Sequence, residues 1–131
     1  MKLFTTPVPN LLFDSCLSNL TYAELKVLLV IVRQTFGWQQ SKSQRKQRDW
    51  INGSQFVKKT GLSRKAISTA VNNLVNRQLI KVTDYAGFSL KTPEERRGIP
   101  RLYYQAFPSP LDGNATKLLA ASKTLWKKEL M

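Results

Sequence analysis

The 131-residue sequence contains no histidine, and that absence removes the commonest general base, the usual nucleophilic triads and most zinc sites. A single cysteine, Cys16, permits neither an internal disulfide nor a cysteine-based metal cluster. Acidic residues number only eight. Asp14, Glu24, Asp49, Asp84, Glu94, Glu95, Asp112 and Glu129 are scattered along the chain, whereas metal-assisted phosphodiester cleavage needs several carboxylates converging on one point. A glycine-rich phosphate loop of the Walker type is also missing. The chain is therefore expected not to be an enzyme and to carry no cofactor or metal. Long apolar runs are absent too: the most apolar stretch, 25–32, falls far short of the roughly 20 residues that span a bilayer. Pro7 and Pro9 interrupt the N-terminus before a signal-peptide core can form. The expectation is a cytoplasmic protein, in the bacterial cytosol or nucleoid, with no membrane partner.

What is abundant is positive charge. Lys and Arg total 21 against the eight acids, giving a formal net charge of +13 and a pI near 10.3. A field of that sign and size attracts polyanions, nucleic acid foremost. With 42% hydrophobic residues the chain is long enough for one compact domain with a core of its own.

The most informative stretch is NGSQFVKKTGLSRKAISTAVNNLVNRQLI, residues 52–80, which spells two helices and a tight turn. Asn52 with Gln55 forms a capping box for the first. Gly61 suits the left-handed conformation that ends it, Leu62 points to the core, and Ser63 caps the second. In the second helix Ile67, Ala70, Val71, Leu74 and Gln78 fall on one stripe. The opposite face carries Arg64, Lys65, Ser68, Thr69, Asn72, Asn73 and Asn76, with no acid between Arg64 and Lys81. A merely solvated helix interleaves Glu with Lys. A cationic, amide-rich face instead suits DNA: Arg and Asn make bidentate bonds to guanine and adenine edges, and Ser or Thr serves bases or phosphates. Ser63 and Ser54, at the starts of the two helices, complete this set of candidate DNA contacts.

Upstream, residues 1–20 read as an N-terminal arm with a short helix near 10–16. Thr21 with Glu24 opens an apolar helix over 22–36, with Leu25, Leu28, Leu29 and Val32 on one stripe, Val27, Val30 and Ile31 widening it as a central helix requires, and Gly37 at its end. The polar segment QQSKSQRKQR brings Lys42, Arg45 and Lys46 as candidate phosphate contacts. Trp50 and Ile51 read as a very short strand. Downstream, 79–82 and 101–107 read as the two strands of a wing whose long loop carries Lys91, Arg96, Arg97 and Arg101 for phosphates or the adjacent minor groove, with a basic tip. The fold class expected is mainly α with a small antiparallel β wing, a winged helix-turn-helix over 21–107. Residues 108–131 read as a linker and C-terminal helix with Leu118, Ala121 and Leu125 on its apolar stripe. Dimerisation on DNA through that helix or the arm is expected, because a single recognition helix reads only a few base pairs.

The string TYAELKVLLVIVRQTFGW, followed by DWINGSQFVKKTGLSRKAISTAVNNLVNRQLI, resembles the N-terminal DNA-binding domain of the bacteriophage replication protein O family, replisome organisers that bind repeated sites at a replication origin. The resemblance runs from residue 4 to 82. It implies sequence-specific binding of double-stranded DNA at an origin, initiation of replication for a phage or mobile element, and recruitment of a replicative helicase or helicase loader. Family members typically continue into a further C-terminal region that meets the helicase machinery, whereas this chain has room for one helix there. Either the chain is a fragment or that recruiting role falls away. From the residues alone, a winged-helix transcriptional regulator binding an operator is the alternative, and a protein-interaction module a third reading that the charge disfavours.

Overall fold

The computed structural model describes residues 4–38 and 45–108. Lys42 and the expected C-terminal helix with its dimer stripe lie outside the described residues.

The arm packs on the domain through Leu12, fully buried in a short helical segment Leu12–Cys16 that runs into a tight turn Leu17–Asn19. Helix α1 (Tyr22–Thr35) starts where the capping box predicts: Thr21 Oγ1 accepts from Glu24 N, and Glu24 Oε1 accepts from Thr21 N, both at 3.2 Å. Val27, Leu28, Ile31 and Val32 bury completely and make α1 the central helix. Leu29 departs from the expected stripe: it faces out on the same side as Arg33, four residues on. Gly37 follows because a Cβ there would sit 2.2 Å from Arg33 O.

Helix α2 (Gly53–Thr60) carries the second capping box, with Asn52 and Gln55 exchanging bonds of 2.9 and 2.8 Å, and ends on Gly61 at φ +73°. Helix α3 (Arg64–Asn76) is capped by Ser63 Oγ, which accepts from Ala66 N at 3.1 Å. Ile67, Ala70, Val71 and Leu74 bury against α1 as the periodicity requires. Gln78 is not on that stripe. It is exposed at φ +63°, where its N–H donates to Val75 O and the next N–H, of Leu79, donates to Leu74 O. This pair of bonds makes Gln78 the left-handed residue of a helix stop, a position glycine occupies without steric cost. Gln78→Gly is expected to raise stability by about 0.5 kcal/mol, read as a higher urea midpoint at unchanged slope. A lower midpoint would contradict this account of the turn.

The sheet has three antiparallel strands, β1 (Asp49–Trp50), β2 (Ile80–Thr83) and β3 (Tyr103–Ala106), in the order β1-β3-β2, so the very short strand expected at Trp50 and Ile51 begins one residue earlier and joins the two wing strands by pairing with β3. Trp50 and Thr83 both pair with Tyr103, and Asp49 and Val82 with Tyr104. Alternation puts Ile80, Val82, Tyr104 and Ala106 on the core side. There the Phe56 ring meets Tyr104 edge-on at 5.1 Å. A helix-turn-helix packed on a central helix and closed by this sheet is a winged-helix-like fold, mainly α.

The wing departs from expectation. After β2 the chain makes a tight turn in which Asp84 Oδ1 accepts from Phe88 N at 2.9 Å and Asp84 O accepts from Gly87 N at 3.1 Å. It then returns along β2, with Leu90 N donating to Val82 O at 2.8 Å and the Leu90 side chain buried. The projecting tip therefore holds Tyr85 and Phe88, not arginines. The arginines belong to a short helix α4 (Pro93–Arg96), capped by Thr92 Oγ1 on Glu95 N and started by Pro93, which folds back beside α3.

Candidate nucleic-acid interface

The exposed part of α3 is narrower than the expected face. Arg64, Lys65, Ser68, Thr69 and Asn76 point to solvent. Among the described residues, no hydrogen bond or ion pair ties the side chains of Lys65, Ser68, Thr69 or Asn76 to the fold. Ser63 is exposed but committed to its cap.

Asn73 departs from the expected base-reading role. It is half-buried on the α1 side of α3, where its Nδ2 donates to Glu24 Oε2 at 3.2 Å. Glu24, 2% exposed, thus serves the α1 cap with one oxygen and α3 with the other, while Arg77 Nη1 lies 3.7 Å from Oε1 and donates to Asn19 O. The physical reason is that Asn73 flanks the apolar stripe, next to Ala70 and Leu74, and a side chain there crosses to the neighbouring helix. Asn72 flanks the other side. It is half-buried, and its Oδ1 accepts from Arg96 Nη2 at 3.1 Å.

Arg96 is the clearest correction. Expected at a solvated wing tip, it is 8% exposed and its guanidinium joins Leu90 O, at 3.0 Å, to Asn72. Burial lowers its basicity from the ordinary arginine value, opposed by Tyr104, Glu95 and Glu94. Arg97, next to it, is exposed. Both line a cleft of about 420 Å³ with Arg64, Ser68, Asn52 and Gly53, bounded by Trp50, Phe56 and Tyr104. Arg64 Nη2 also donates to Ser54 Oγ at 3.1 Å, so two candidates ten positions apart in sequence meet at one rim. The cleft thus collects Arg64, Ser68, Arg96 and Arg97 beside the N-terminal half of α3.

The remaining cations are dispersed. Arg45 is exposed and donates to Phe36 O at 3.4 Å, and Lys46 pairs with Asp49 at 2.9 Å. Lys91 is exposed. Arg101 is exposed, with its guanidinium 4.7 Å from the centre of the Trp50 ring. Charge groups Arg48 with the other cations of its polar segment and does not foretell its contacts: it donates to Thr83 Oγ1, Asp84 O and Tyr85 O and lies over the Tyr103 ring. It holds the wing turn to the sheet.

Tyr104, between Phe56 and Arg96, has its phenol pushed up to about 12 by burial, against a smaller opposing effect of Arg96. A raised folded-state value means the unfolded chain loses this proton first as pH rises. The contribution is therefore intact below about pH 10 and is lost as pH climbs towards 12. At about pH 11 the loss relative to pH 9 is expected to be ~1.4 kcal/mol, and Tyr104→Phe should flatten that part of the alkaline stability profile. Identical profiles for the two proteins would refute the assignment.

Among the described residues there is no group of three or more Asp, Glu or Cys positioned to hold a metal ion, and no helix long and apolar enough to cross a membrane. Neither a curated protein nor a solved structure matches the chain significantly. The family model of bacteriophage replication protein O matches residues 4–92, which takes in the arm, α1, the helix-turn-helix, the wing turn and the cap of α4. Since that match covers well over half of the sequence, the chain belongs to the bacteriophage replication protein O family.

Proposed function

We propose that this protein is a non-enzymatic, sequence-specific binder of double-stranded DNA that marks a replication origin of a phage or related mobile element. The observation that carries the reading is the outer face of α3. Arg64, Lys65, Ser68, Thr69 and Asn76 are solvent-facing on a helix held by a capped helix-turn-helix, with no acid on α3. In this geometry the N-terminal half of α3 enters the major groove, and Ser54 at the start of α2, with Arg97 across the cleft, meets the flanking phosphates. Family membership directs this footprint to replication rather than to a promoter. The proposed partners are origin repeats, a second copy on DNA, and a helicase or helicase loader.

The test is a footprint of the purified protein across its parent genome. Clustered direct repeats beside the replication start support the proposal. Protection of a lone promoter operator would replace it with transcriptional regulation, and uniform salt-sensitive protection would leave only non-specific binding.

A further inference from the structure

We infer that the wing end of the sheet is a second nucleic-acid surface, one that stacks the bases of single-stranded DNA. The outward side of the terminal rung holds Trp50 beside Tyr103. Arg101 lies 4.7 Å over the Trp50 ring and Arg48 4.5 Å over the Tyr103 ring, while Tyr85 meets Tyr103 edge-on at 6.1 Å. Trp50 is 38% exposed, and at the adjoining tip Tyr85 and Phe88 are 76% and 72% exposed. These two rings are not on a loose loop. Asp84 closes their turn through three bonds, and Arg48 donates to Asp84 O and Tyr85 O beneath it.

Exposed rings alternating with guanidinium groups offer faces for bases and charge for the phosphates that join them. A duplex hides its base faces inside the stack, so rings of this kind gain most from unpaired strands. An apolar protein partner would instead strip water from two arginines without supplying an anion, and the net charge of +13 favours a polyanion. The surface lies at the same end of the sheet as the Arg64 cleft, since Trp50 also lines that cleft. A strand released next to a bound duplex would reach it. DNA rather than RNA follows from membership of a replication family. The inference stands independently of sequence-specific duplex recognition, because it concerns other residues and another ligand.

The experiment is fluorescence anisotropy of the full chain with labelled oligo(dT), a duplex carrying the footprinted site, and oligo(rU), each titrated over a range of salt. The double variant Tyr85→Ala/Phe88→Ala alters only exposed rings, and an unchanged thermal midpoint verifies its fold. Affinity for oligo(dT) is expected to fall at least about tenfold. The salt slope should not change, because no cation is removed, and duplex affinity should be retained. The inference is overturned by wild-type protein that does not bind oligo(dT), by a double variant that binds it like wild type, by an equal loss on duplex, or by tighter binding of oligo(rU). Loss on oligo(dT) with duplex binding intact supports it, whether or not that duplex binding is sequence-specific.

Discussion

Replacing Arg96 by alanine is expected to cost about 2 to 4 kcal/mol of folding stability, whereas the same change at Arg97 should cost less than about 0.5 kcal/mol. The two residues are adjacent and carry equal charge, so the contrast comes entirely from where the fold places them. Arg96 is 8% exposed and donates to Leu90 O and Asn72 Oδ1. Truncating it leaves both acceptors without that donor and releases the 90–96 segment from the flank of α3. Arg97 faces solvent on the cleft rim. On duplex DNA the ranking of mechanisms reverses: Arg97→Ala should flatten the slope of log affinity against log salt by about 0.9 if it contacts one phosphate, with all sequences weakened alike. Urea unfolding of both variants and a salt titration of Arg97→Ala are sufficient. Equal stability losses at the two positions would show that Arg96 does not hold the loop.

The sequence made the helix-turn-helix legible because its signals are local. Thr21 with Glu24, Asn52 with Gln55, Gly61 and Ser63 each act within one helical turn, and each does in the structure what its chemistry predicts. What escaped notice depends on pairings distant in sequence. Asn73 and Glu24 lie 49 residues apart, and Arg96 and Asn72 24. Helical periodicity identifies the buried stripe of α3 but does not decide whether a residue on its flank crosses to a neighbour or turns to water. The short strand read at Trp50 and Ile51 lies at Asp49–Trp50, and two residues are too few for alternation to fix its bounds or to name β3 as its partner. The start of α4 is a different case. Thr92, Pro93, Glu94 and Glu95 form a recognisable helix start, overshadowed by the two arginines that follow.

That narrowing of the α3 face concentrates the expected base-reading effect on Arg64. Arg64→Ala should weaken binding to cognate duplex by about 1 to 3 kcal/mol, and Arg64→Lys should restore affinity for scrambled duplex more than for cognate, since lysine keeps the charge without the planar fork. The fold offers a way to test the position of this guanidinium without removing it. Gly53, the first residue of α2, has no Cβ, and one built there would lie 2.5 Å from Arg64 Nη1. The obstructed atom is the end of a flexible side chain, so Gly53→Ala should displace the guanidinium from Ser54 while the helix keeps or gains up to about 1 kcal/mol through alanine's better propensity. Stability and cognate affinity are thus expected to move in opposite directions in Gly53→Ala. Because both changes act on one group, the double variant Gly53→Ala/Arg64→Ala should bind no more weakly than Arg64→Ala alone. Additive losses in that cycle, or a Gly53→Ala protein that binds cognate DNA like wild type, would mean that the Arg64 position seen against Ser54 is not the one used on DNA.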